Sequence, residues 1–429
     1  MNEKIQLTKI VGNKLSEANW LETKELNKLF DVFLVNGDEV KIVGGAPRNH
    51  LLNKPVEDID LATIYTPEEI ISKAKAAHIK YIATGIEHGT VTLLINDTTF
   101  EITTLRADIK TDGRHAIVEF GTSWREDAKR RDFTINALYV LKDGTVEDPL
   151  GSGLADLKTQ TVRFIGNAED RIREDFLRSL RYYRFASYYS KKPFDPLAIS
   201  ATIKQRDGLR GLSAERVKSE LFKILSAPES LEVVNELYQN GILMGLLGTV
   251  PNIRAFFKLV DLEKKLNQKA DAALRLAVLS AWHKGDVVRL KKRLRLSKSE
   301  TRKIELKVKT DLEKSSLITS LDLTQPEGKF FYNKYHFFLG EVDYSSLLKA
   351  LYALGSCSLN LDAVVEKLKL MEAYEEKELP IKGADLIEKG MQPGPKVGKV
   401  LEKLTMVWLK SDRLRSKEEL LALVETEIN

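Results

Sequence analysis

Two aspartates separated by one residue, Asp58 and Asp60, are the first side chains in the sequence whose spacing suits catalysis. In an extended strand, residues two apart lie on the same face, so both carboxylates would project together. Two carboxylates this close repel each other unless a cation joins them, and magnesium prefers such oxygen ligands. An isolated Asp-x-Asp is more often a solvated surface pair, so the neighbouring residues decide between the two interpretations.

A glycine pair lies upstream of these aspartates. The stretch 39–43 has the β-branched pattern of a strand, and Gly44 and Gly45 end it before a short helix that carries Arg48. Glycines at such a turn let backbone N–H groups approach a phosphate closely, and a guanidinium adds a fixed cationic fork. A Gly-Gly pair by itself more often marks a tight turn. Together with the aspartates it favours a site for a nucleotide triphosphate and magnesium.

A third carboxylate, Glu101, lies in a strand-like run and shares a face with Thr99 and Thr103, between the apolar residues Phe100 and Ile102. A charged residue in such a strand faces either solvent or a site. In a site it would ligate a metal or help to deprotonate an attacking hydroxyl.

A second polar group is Arg130-Arg131-Asp132, followed by Asn136. Arg-Arg-Asp alone is often a surface ion pair. Here it opens an apolar–polar alternation, which indicates that it is anchored at the start of an element. In that position Asp132 and Asn136 could hold ribose hydroxyls, and the two arginines could contact the triphosphate.

A third group recurs at helical spacing, with Asp175, Arg178, Arg181 and Arg184 three residues apart. A solvated, salt-bridged helix face is the alternative, because Glu174 and Arg178 also form an i,i+4 pair. An Asp beside an Arg can instead read a base edge, accepting from an exocyclic amine and donating to the adjacent ring nitrogen. Cytosine and adenine both present that edge, whereas uracil and guanine do not.

Two regions with different secondary-structure patterns position these groups. To about residue 164, short β-branched runs alternate with turns, including a hairpin around Asn96 and Asp97 and an amphipathic helix over 66–78. From 168 onward the pattern is almost wholly helical, and 170–190 is predicted as a continuous periodic stretch. The charged segment 106–115 is predicted to be a mobile loop, with a long strand connection as the alternative.

The composition excludes several classes of protein. The chain has 429 residues and a formal net charge of +5, which weakly favours a polyanionic partner. The single cysteine, Cys357, excludes an intramolecular disulfide framework and favours a reducing compartment. We find neither a signal peptide nor an apolar run long enough for a membrane helix. Six histidines without metal-ligand spacing argue against an appended metal-dependent phosphohydrolase module.

Together and in this order, the motifs over 41–225 resemble the class II tRNA nucleotidyltransferases (CCA-adding enzymes) and the related bacterial poly(A) polymerases. The resemblance assigns catalysis and metal binding to Asp58 and Asp60, with Glu101 as a further catalytic residue. It assigns nucleotide binding to Gly44, Gly45, Arg48, Arg130, Arg131, Asp132, Asn136, Glu174, Asp175, Arg178, Arg181 and Arg184. One departure is Asn49, where many members have Asp, which puts an arginine-orienting or metal-binding role there in doubt.

The resemblance also implies an α+β architecture. A polymerase beta-like nucleotidyltransferase head with a mixed sheet would cover 1–165, followed by an all-helical neck (166–230), body (231–312) and tail (313–429). A flexible loop at about 106–115 would be needed to switch the pocket from C to A. A basic stretch at 291–303 would contact tRNA phosphates, with a solvated helix face as the alternative.

The implied activity is template-independent addition of C, C and A to the 3′ end of tRNA from CTP and ATP, with two magnesium ions. The alternatives are a poly(A) polymerase, a partial enzyme that adds only C-C or only A, and a catalytically silent RNA-binding protein. We expect a cytoplasmic protein without membrane association, or a mitochondrial matrix protein if the source is eukaryotic. The oligomeric state stays open between monomer and homodimer.

Overall fold

The structure is a computed structural model that describes residues 10–424, apart from 12, 113–114, 122, 310–321, 340–343 and 374–376. The chain divides into two compact units, Met1–Leu246 and Leu247–Asn429. Among the described residues, no helix is long and apolar enough to span a membrane.

The first unit contains a mixed sheet of seven strands. The strands of this unit are β1 Ile10–Val11, β2 Lys14–Leu15, β3 Val40–Val43, β4 Asp60–Thr63, β5 Lys80–Gly85, β6 Thr90–Ile95, β7 Thr98–Thr104, β8 Arg106–Asp112, β9 His115–Phe120, β10 Tyr139–Val140 and β11 Val146–Glu147. The order in the sheet is β11-β10-β3-β4-β7-β6-β5, in which only β4 and β7 pair in parallel. The predicted mixed-sheet head with helices is therefore confirmed, as is the hairpin around Asn96 and Asp97.

Side-chain alternation in the central strands separates an apolar face from a site face. In β4, Leu61 packs into the core beneath the sheet, where Phe30 and Phe33 of the first helix also lie. Ala62 belongs to a second cluster on the opposite face. Because successive strand residues point to opposite faces, Asp60 shares the face of Ala62. The first carboxylate of the strand is thus held at its edge by apolar packing on both sides.

Helices cover the sheet and then replace it. Those of the first unit are α1 Lys24–Phe33, α2 Gly45–Leu51, α3 Pro67–Ala76, α4 Trp124–Arg130, α5 Gly153–Lys158, α6 Ala168–Glu174, α7 Leu177–Tyr189, α8 Pro196–Lys204, α9 Ala214–Ser226, α10 Ser230–Gln239 and α11 Ile242–Leu247. A capping box between Thr66 and Glu69, with Pro67 at the first position, starts α3 as its sequence predicted.

Two details of the sequence-based prediction were wrong. The stretch 170–190 is not one helix, because Asp175 is extended (φ −154°, ψ 107°) and separates α6 from α7. The predicted loop at 106–115 lies largely in a β-hairpin, in which β8 pairs antiparallel with β9 from Arg106↔Phe120 to Asp112↔His115. The four charged residues of β8, Arg106, Asp108, Lys110 and Asp112, occupy every second position, which is the alternation of a strand, so a charged segment with a turn signal does not by itself indicate a loop. The predicted switching role of the segment stays a prediction.

The second unit is helical throughout its described part. Its helices are α12 Ile253–Lys265, α13 Ala272–Ser280, α14 Lys284–Leu294, α15 Lys298–Lys309, α16 Pro326–Leu339, α17 Tyr344–Leu354, α18 Leu361–Glu372, α19 Gly383–Glu388, α20 Pro395–Lys410 and α21 Lys417–Ala422. Leu262 packs with Leu348 and Leu368 in one core, and Trp408 is the largest side chain of another. The predicted helical continuation of the chain after the head is confirmed.

Candidate active site

The glycine turn between β3 and α2 is the floor of the site. Gly44 has φ +79° and ψ −113°, a backbone conformation that side-chain-bearing residues rarely adopt. A Cβ placed on Gly44 would lie 4.0 Å from Nη1 of Arg131, and one on Gly45 would lie 3.7 Å from Nη2 of Arg48. Two guanidinium groups therefore face the bare backbone of the turn, which is the arrangement that a phosphate group requires.

Asp60 lies beside this turn, and two further carboxylates, Asp58 and Glu101, lie near enough to act on its charge. Asp60 lies directly opposite Val43 in β3 and opposite Glu101 in β7. Burial raises the pKa of Asp60, and the negative charges of Glu101 and Asp58 raise it further. Asp58 precedes β4, so the expected two-residue alternation applies to Asp60 alone, although both aspartates are close enough to repel.

A divalent cation would relieve this repulsion, so the residues present fit a metal site. Within the described part of the chain, no three His, Cys, Asp or Glu side chains are already grouped tightly enough to enclose one. The carboxylates alone therefore do not form a finished metal cage.

Asp127 anchors the two arginines of the second motif. Its carboxylate, fully buried, accepts from Arg130 Nε at 2.7 Å, from Arg131 Nη2 at 3.0 Å and from the Tyr139 hydroxyl at 2.7 Å. Burial alone would raise the pKa of Asp127, but the two guanidinium groups outweigh it and hold that pKa below its usual range. The ion cluster thus fixes Arg131 beneath the glycine turn.

Asp132 and Asn136 form a second hydrogen-bonded unit. Asp132 accepts from Asn136 Nδ2 at 2.9 Å and from Arg181 Nη2 at 2.5 Å. Burial would raise the pKa of Asp132, whereas Arg181 and the hydrogen bonds lower it below the ordinary value. The carboxylate is therefore charged and oriented, as a group that binds sugar hydroxyls should be.

Three side chains, those of Asn49, Asn136 and Tyr189, hold the Arg48 guanidinium. Asn49 Oδ1 accepts from Arg48 Nη2 at 2.9 Å, Asn136 Oδ1 accepts from Nη1, and the Tyr189 ring centroid lies 4.2 Å from the guanidinium carbon. Asn49 Nδ2 donates to the carbonyl of Pro55 at 3.1 Å, which fixes the amide orientation. Asn49 therefore orients Arg48 with a neutral oxygen in place of the carboxylate that is usual in the resembling family.

The break between α6 and α7 carries the predicted base-reading pair. Asp175 accepts from the backbone N–H of Leu177 at 3.1 Å and from Arg216 Nη2 at 2.6 Å. Arg178 donates through Nη1 to Glu174 and to the carbonyl of Arg171. Asp175 and Arg178 are thus fixed separately, and neither side chain neutralises the other.

These groups enclose one cavity of about 460 Å³. Its lining contains Gly44, Gly45, Arg48, Asp60, Arg131, Asp132, Asn136, Asp175, Leu177, Arg178, Arg181, Phe185 and Arg216. The volume lies within the range of about 300–1,000 Å³ that is typical of small-molecule sites. A single site therefore joins the glycine turn, the sugar-binding pair and the base-reading pair.

Comparison with known proteins agrees with this geometry. A family model described as the poly A polymerase head domain matches residues 40–163. The mitochondrial CCA tRNA nucleotidyltransferase 1 of Mus musculus is 33% identical over 415 residues, covering 95% of this chain and 92% of the relative. The CCA-adding enzyme of Lactobacillus delbrueckii subsp. bulgaricus is 30% identical, covering 86% of this chain and 88% of the relative.

The chain belongs to the CCA tRNA nucleotidyltransferase family. Solved structures of CCA-adding enzymes share its fold. The Bacillus stearothermophilus enzyme in complex with CTP has a TM-score of 0.63 at 24% identity, covering 95% of this chain and 98% of that one. The Thermotoga maritima enzyme complexed with tRNA has a TM-score of 0.63 at 21% identity, covering 96% and 99%.

The predicted residues of this CCA tRNA nucleotidyltransferase do not all reach the cavity. Those outside the lining are Asp58, Glu101, Arg130, Glu174 and Arg184. Glu174 accepts from Arg171 and Arg178, Arg130 is bound to Asp127, and Arg184 Nε donates to Glu220 at 2.6 Å. Their proposed roles in nucleotide binding stay predictions, and their present contacts position other residues.

Three supporting residues escaped the sequence-based analysis of site residues. Asp127 lies three and four residues before the two arginines, so its helical spacing could have revealed it. Tyr189 and Arg216 reach the site from distant positions along the chain, and only the fold brings them there. No local pattern signals such contacts.

Proposed function

We propose that this chain adds C, C and A, in that order, to the 3′ end of tRNA, using CTP and ATP and releasing pyrophosphate. The 3′-oxygen of the RNA attacks the α-phosphorus, a new P–O bond forms, and the bond to the β-phosphate oxygen breaks. The observation that carries the proposal is the single cavity in which the glycine turn, Asp132 and the Asp175/Arg178 pair converge.

The triphosphate would lie over Gly44 and Gly45, with Arg131 and Arg48 as its cationic partners. Asp58 and Asp60, with Glu101 beside them, are the residues that would hold two magnesium ions. When bound, such ions lower the pKa of the attacking hydroxyl and neutralise charge on the leaving pyrophosphate.

The sugar would be held by Asp132 and Asn136. A ribose hydroxyl is both donor and acceptor, so it can donate to the Asp132 carboxylate and accept from the neighbouring Arg181. Because Asn136 also supports Arg48 and Asp132, correct placement of the sugar is coupled to that of the phosphates.

The base would be read by Asp175 and Arg178. Asp175 has lone pairs beyond those used by Leu177 and Arg216, and the Arg178 N–H groups other than those on Nη1 have no hydrogen-bond partner among the described residues. Acceptor and donor together match the amine and ring nitrogen shared by cytosine and adenine. The protein itself, and no nucleic-acid template, would therefore select the nucleotide.

We assign the chain to a head (1–165), a neck (166–230), a body (231–312) and a tail (313–429), with tRNA contacts on the body and tail. Lys291, Lys292, Arg293 and Arg295 are exposed at the C-terminal end of α14 and suit phosphate contacts that do not depend on sequence. We place the protein in the cytoplasm or the mitochondrial matrix, because the related vertebrate proteins include ones named as mitochondrial.

A poly(A) polymerase is the second candidate, because the matching family model carries that name. The test is incubation of the full chain with tRNA that lacks its terminal trinucleotide, with each nucleotide separately and then together, followed by product sequencing. We expect C-C with CTP alone and C-C-A with both nucleotides. Long adenosine tails would establish the second candidate, and products that stop at C-C or require a pre-formed C-C end would identify a partial enzyme.

A further inference from the structure

A second cavity, of about 430 Å³, lies at the far end of α7. The first half of this helix contributes Arg178 and Arg181 to the nucleotide cavity, and its last turn contributes Tyr188 and Tyr189 to the second one. None of the residues predicted to bind nucleotide or metal lines this second cavity. It is therefore a separate space from the active site.

Lysines and aromatic rings alternate around this cavity. Lys54 Nζ lies 5.2 Å from the Tyr189 ring centroid and donates to the carbonyl of Tyr188 at 2.9 Å. Lys192 Nζ lies 5.6 Å from the ring centroid of Phe194. Nucleobases stack on such rings, and lysines bind the phosphate attached to the same unit.

The charge around the cavity favours an anion. Lys54, Lys191 and Lys192 face only two lining carboxylates, those of Glu229 and Glu232, so a net positive charge remains. Lys191 and Lys192 are exposed at the rim, where they can meet a phosphate without the cost of burying their own charge.

Two residues that line the cavity each have an oxygen atom that accepts no hydrogen bond from the described residues. Gln160 Oε1 and Glu232 Oε2 are hidden from water and have no partner among the described residues. A buried oxygen without a donor costs free energy, and a small rotation of either side chain toward an amino or hydroxyl group in the cavity would relieve that cost.

We propose that this cavity binds a nucleotide unit, with the base against the aromatic rings, the phosphate at Lys191 and Lys192, and amino or hydroxyl groups directed at Gln160 and Glu232. A free nucleoside monophosphate and a nucleotide of the RNA substrate share this chemistry. Rings alone would suit any flat apolar molecule. The lysines and the unpartnered oxygens narrow the ligand to one that carries both a negative charge and donors.

Occupancy of the second cavity would reach the active site through Tyr189. Its hydroxyl lies 2.9 Å from Arg48 Nη2 and 3.2 Å from Asn49 Oδ1, and the same residue lines the second cavity. A base stacked on this ring would restrict the side chain that supports Arg48. We therefore expect a bound nucleotide to alter the affinity of the active site for a triphosphate.

The test is photo-crosslinking of the full chain with 8-azido-AMP, followed by peptide mapping, which separates label in the second cavity from label in the catalytic cavity. We expect label in residues 188–194. The variant Lys191→Glu/Lys192→Glu should reduce it by about tenfold, as expected from the loss of two exposed charge contacts. The matched control is Lys28→Glu/Lys80→Glu, which makes the same charge change at exposed residues elsewhere in the first unit and should label normally.

Competition then identifies the source of the nucleotide. If tRNA lacking its trinucleotide removes the label, the cavity holds part of the RNA, and Lys191→Glu/Lys192→Glu should raise the KM for tRNA. If unlabelled AMP removes the label and tRNA does not, the cavity holds a free nucleotide. Absence of label at 188–194, or equal labelling of the wild type and the Lys191→Glu/Lys192→Glu variant, would overturn the proposal.

Discussion

Two clusters of aspartate and arginine border the active site, and they differ in how much hydrogen-bonding capacity their carboxylates keep for a ligand. Asp127 is fully buried and accepts from Arg130, Arg131 and Tyr139, a group that we call the head cluster. Asp175, between α6 and α7 in what we call the neck cluster, has two hydrogen-bond partners among the described residues, one backbone N–H and one guanidinium. The same residue types therefore hold cationic groups in fixed positions at the first cluster, whereas at the second they leave hydrogen-bond acceptors available for a base.

The difference also has a structural origin. Asp127 lies in α4, three and four residues from its arginines, so a single helix builds the cluster. Asp175 lies at a break in the helix, and the two arginines grouped with it, Arg178 and Arg216, come from α7 and α9. Loss of the head cluster should slow all nucleotides equally, whereas loss of the neck cluster should alter the choice among them.

We expect the largest effect at the carboxylates proposed to bind magnesium, because the reaction depends on them whichever nucleotide is used. Asp60→Asn removes one negative charge opposite Glu101 while it preserves size. We expect incorporation of both C and A to fall by about three orders of magnitude or more, as when charge stabilisation of a transition state is lost. Single-turnover rates at saturating magnesium, with tRNA affinity as the control, are the measurement. Near-normal rates would refute the assignment.

At the head cluster, Asp127→Asn should free Arg130 and Arg131 from their anchor. We expect kcat/KM to fall about 10- to 100-fold for CTP and ATP alike, because Arg131 would no longer be held for the phosphates. Binding of CTP should weaken more than binding of cytidine, which has no phosphates. That difference separates a positioning role from a general loss of structure.

The matched control for Asp127→Asn is Glu126→Gln on the same helix. The Glu126 side chain is half exposed, and among the described residues it bonds only Lys129. It should change neither rate nor stability, whereas breaking the buried Asp127 cluster should cost about 3–5 kcal/mol of folding free energy. An Asp127→Asn variant that favours one nucleotide over the other would contradict the contrast between the clusters.

At the neck cluster, Asp175→Ala and Arg178→Ala should relax selection. We expect the preference for CTP over UTP to fall about 10- to 100-fold, since a well-formed contact to a base edge contributes about 1–3 kcal/mol of discrimination. Competition between CTP and UTP measures it, and Asp170→Asn, an exposed aspartate on α6, is the control. Unchanged discrimination with reduced stability would make the pair structural.

The two clusters also differ in how far their geometry could be predicted from the sequence. The glycine turn and Asp60 were predictable because their geometry is set within a few residues or by strand alternation. The break at Asp175 was not, because residues 170–190 keep a helical charge spacing across it. Phe176, the residue after the break, packs against Gly208, far along the chain: a Cβ on this glycine would fall 2.0 Å from the ring. Long-range contacts of this kind leave no periodic signal.

The smallest catalytic effect is expected at Arg184, which sequence spacing grouped with the nucleotide-binding arginines. In the structure its Nε donates to Glu220 at 2.6 Å, between α7 and α9, and the side chain does not line the cavity. Arg184→Gln should therefore leave the choice among CTP, ATP and UTP within about twofold of the wild type, because the residues that face the base are unchanged. Stability should fall by about 3 kcal/mol, because the Glu220 carboxylate is left buried without its cation. Thermal unfolding measures the second effect, and Glu220→Gln should reproduce a smaller part of it. A change in nucleotide preference with unaltered stability would instead place Arg184 in the nucleotide site and add it to the residues of α7 that contact the base.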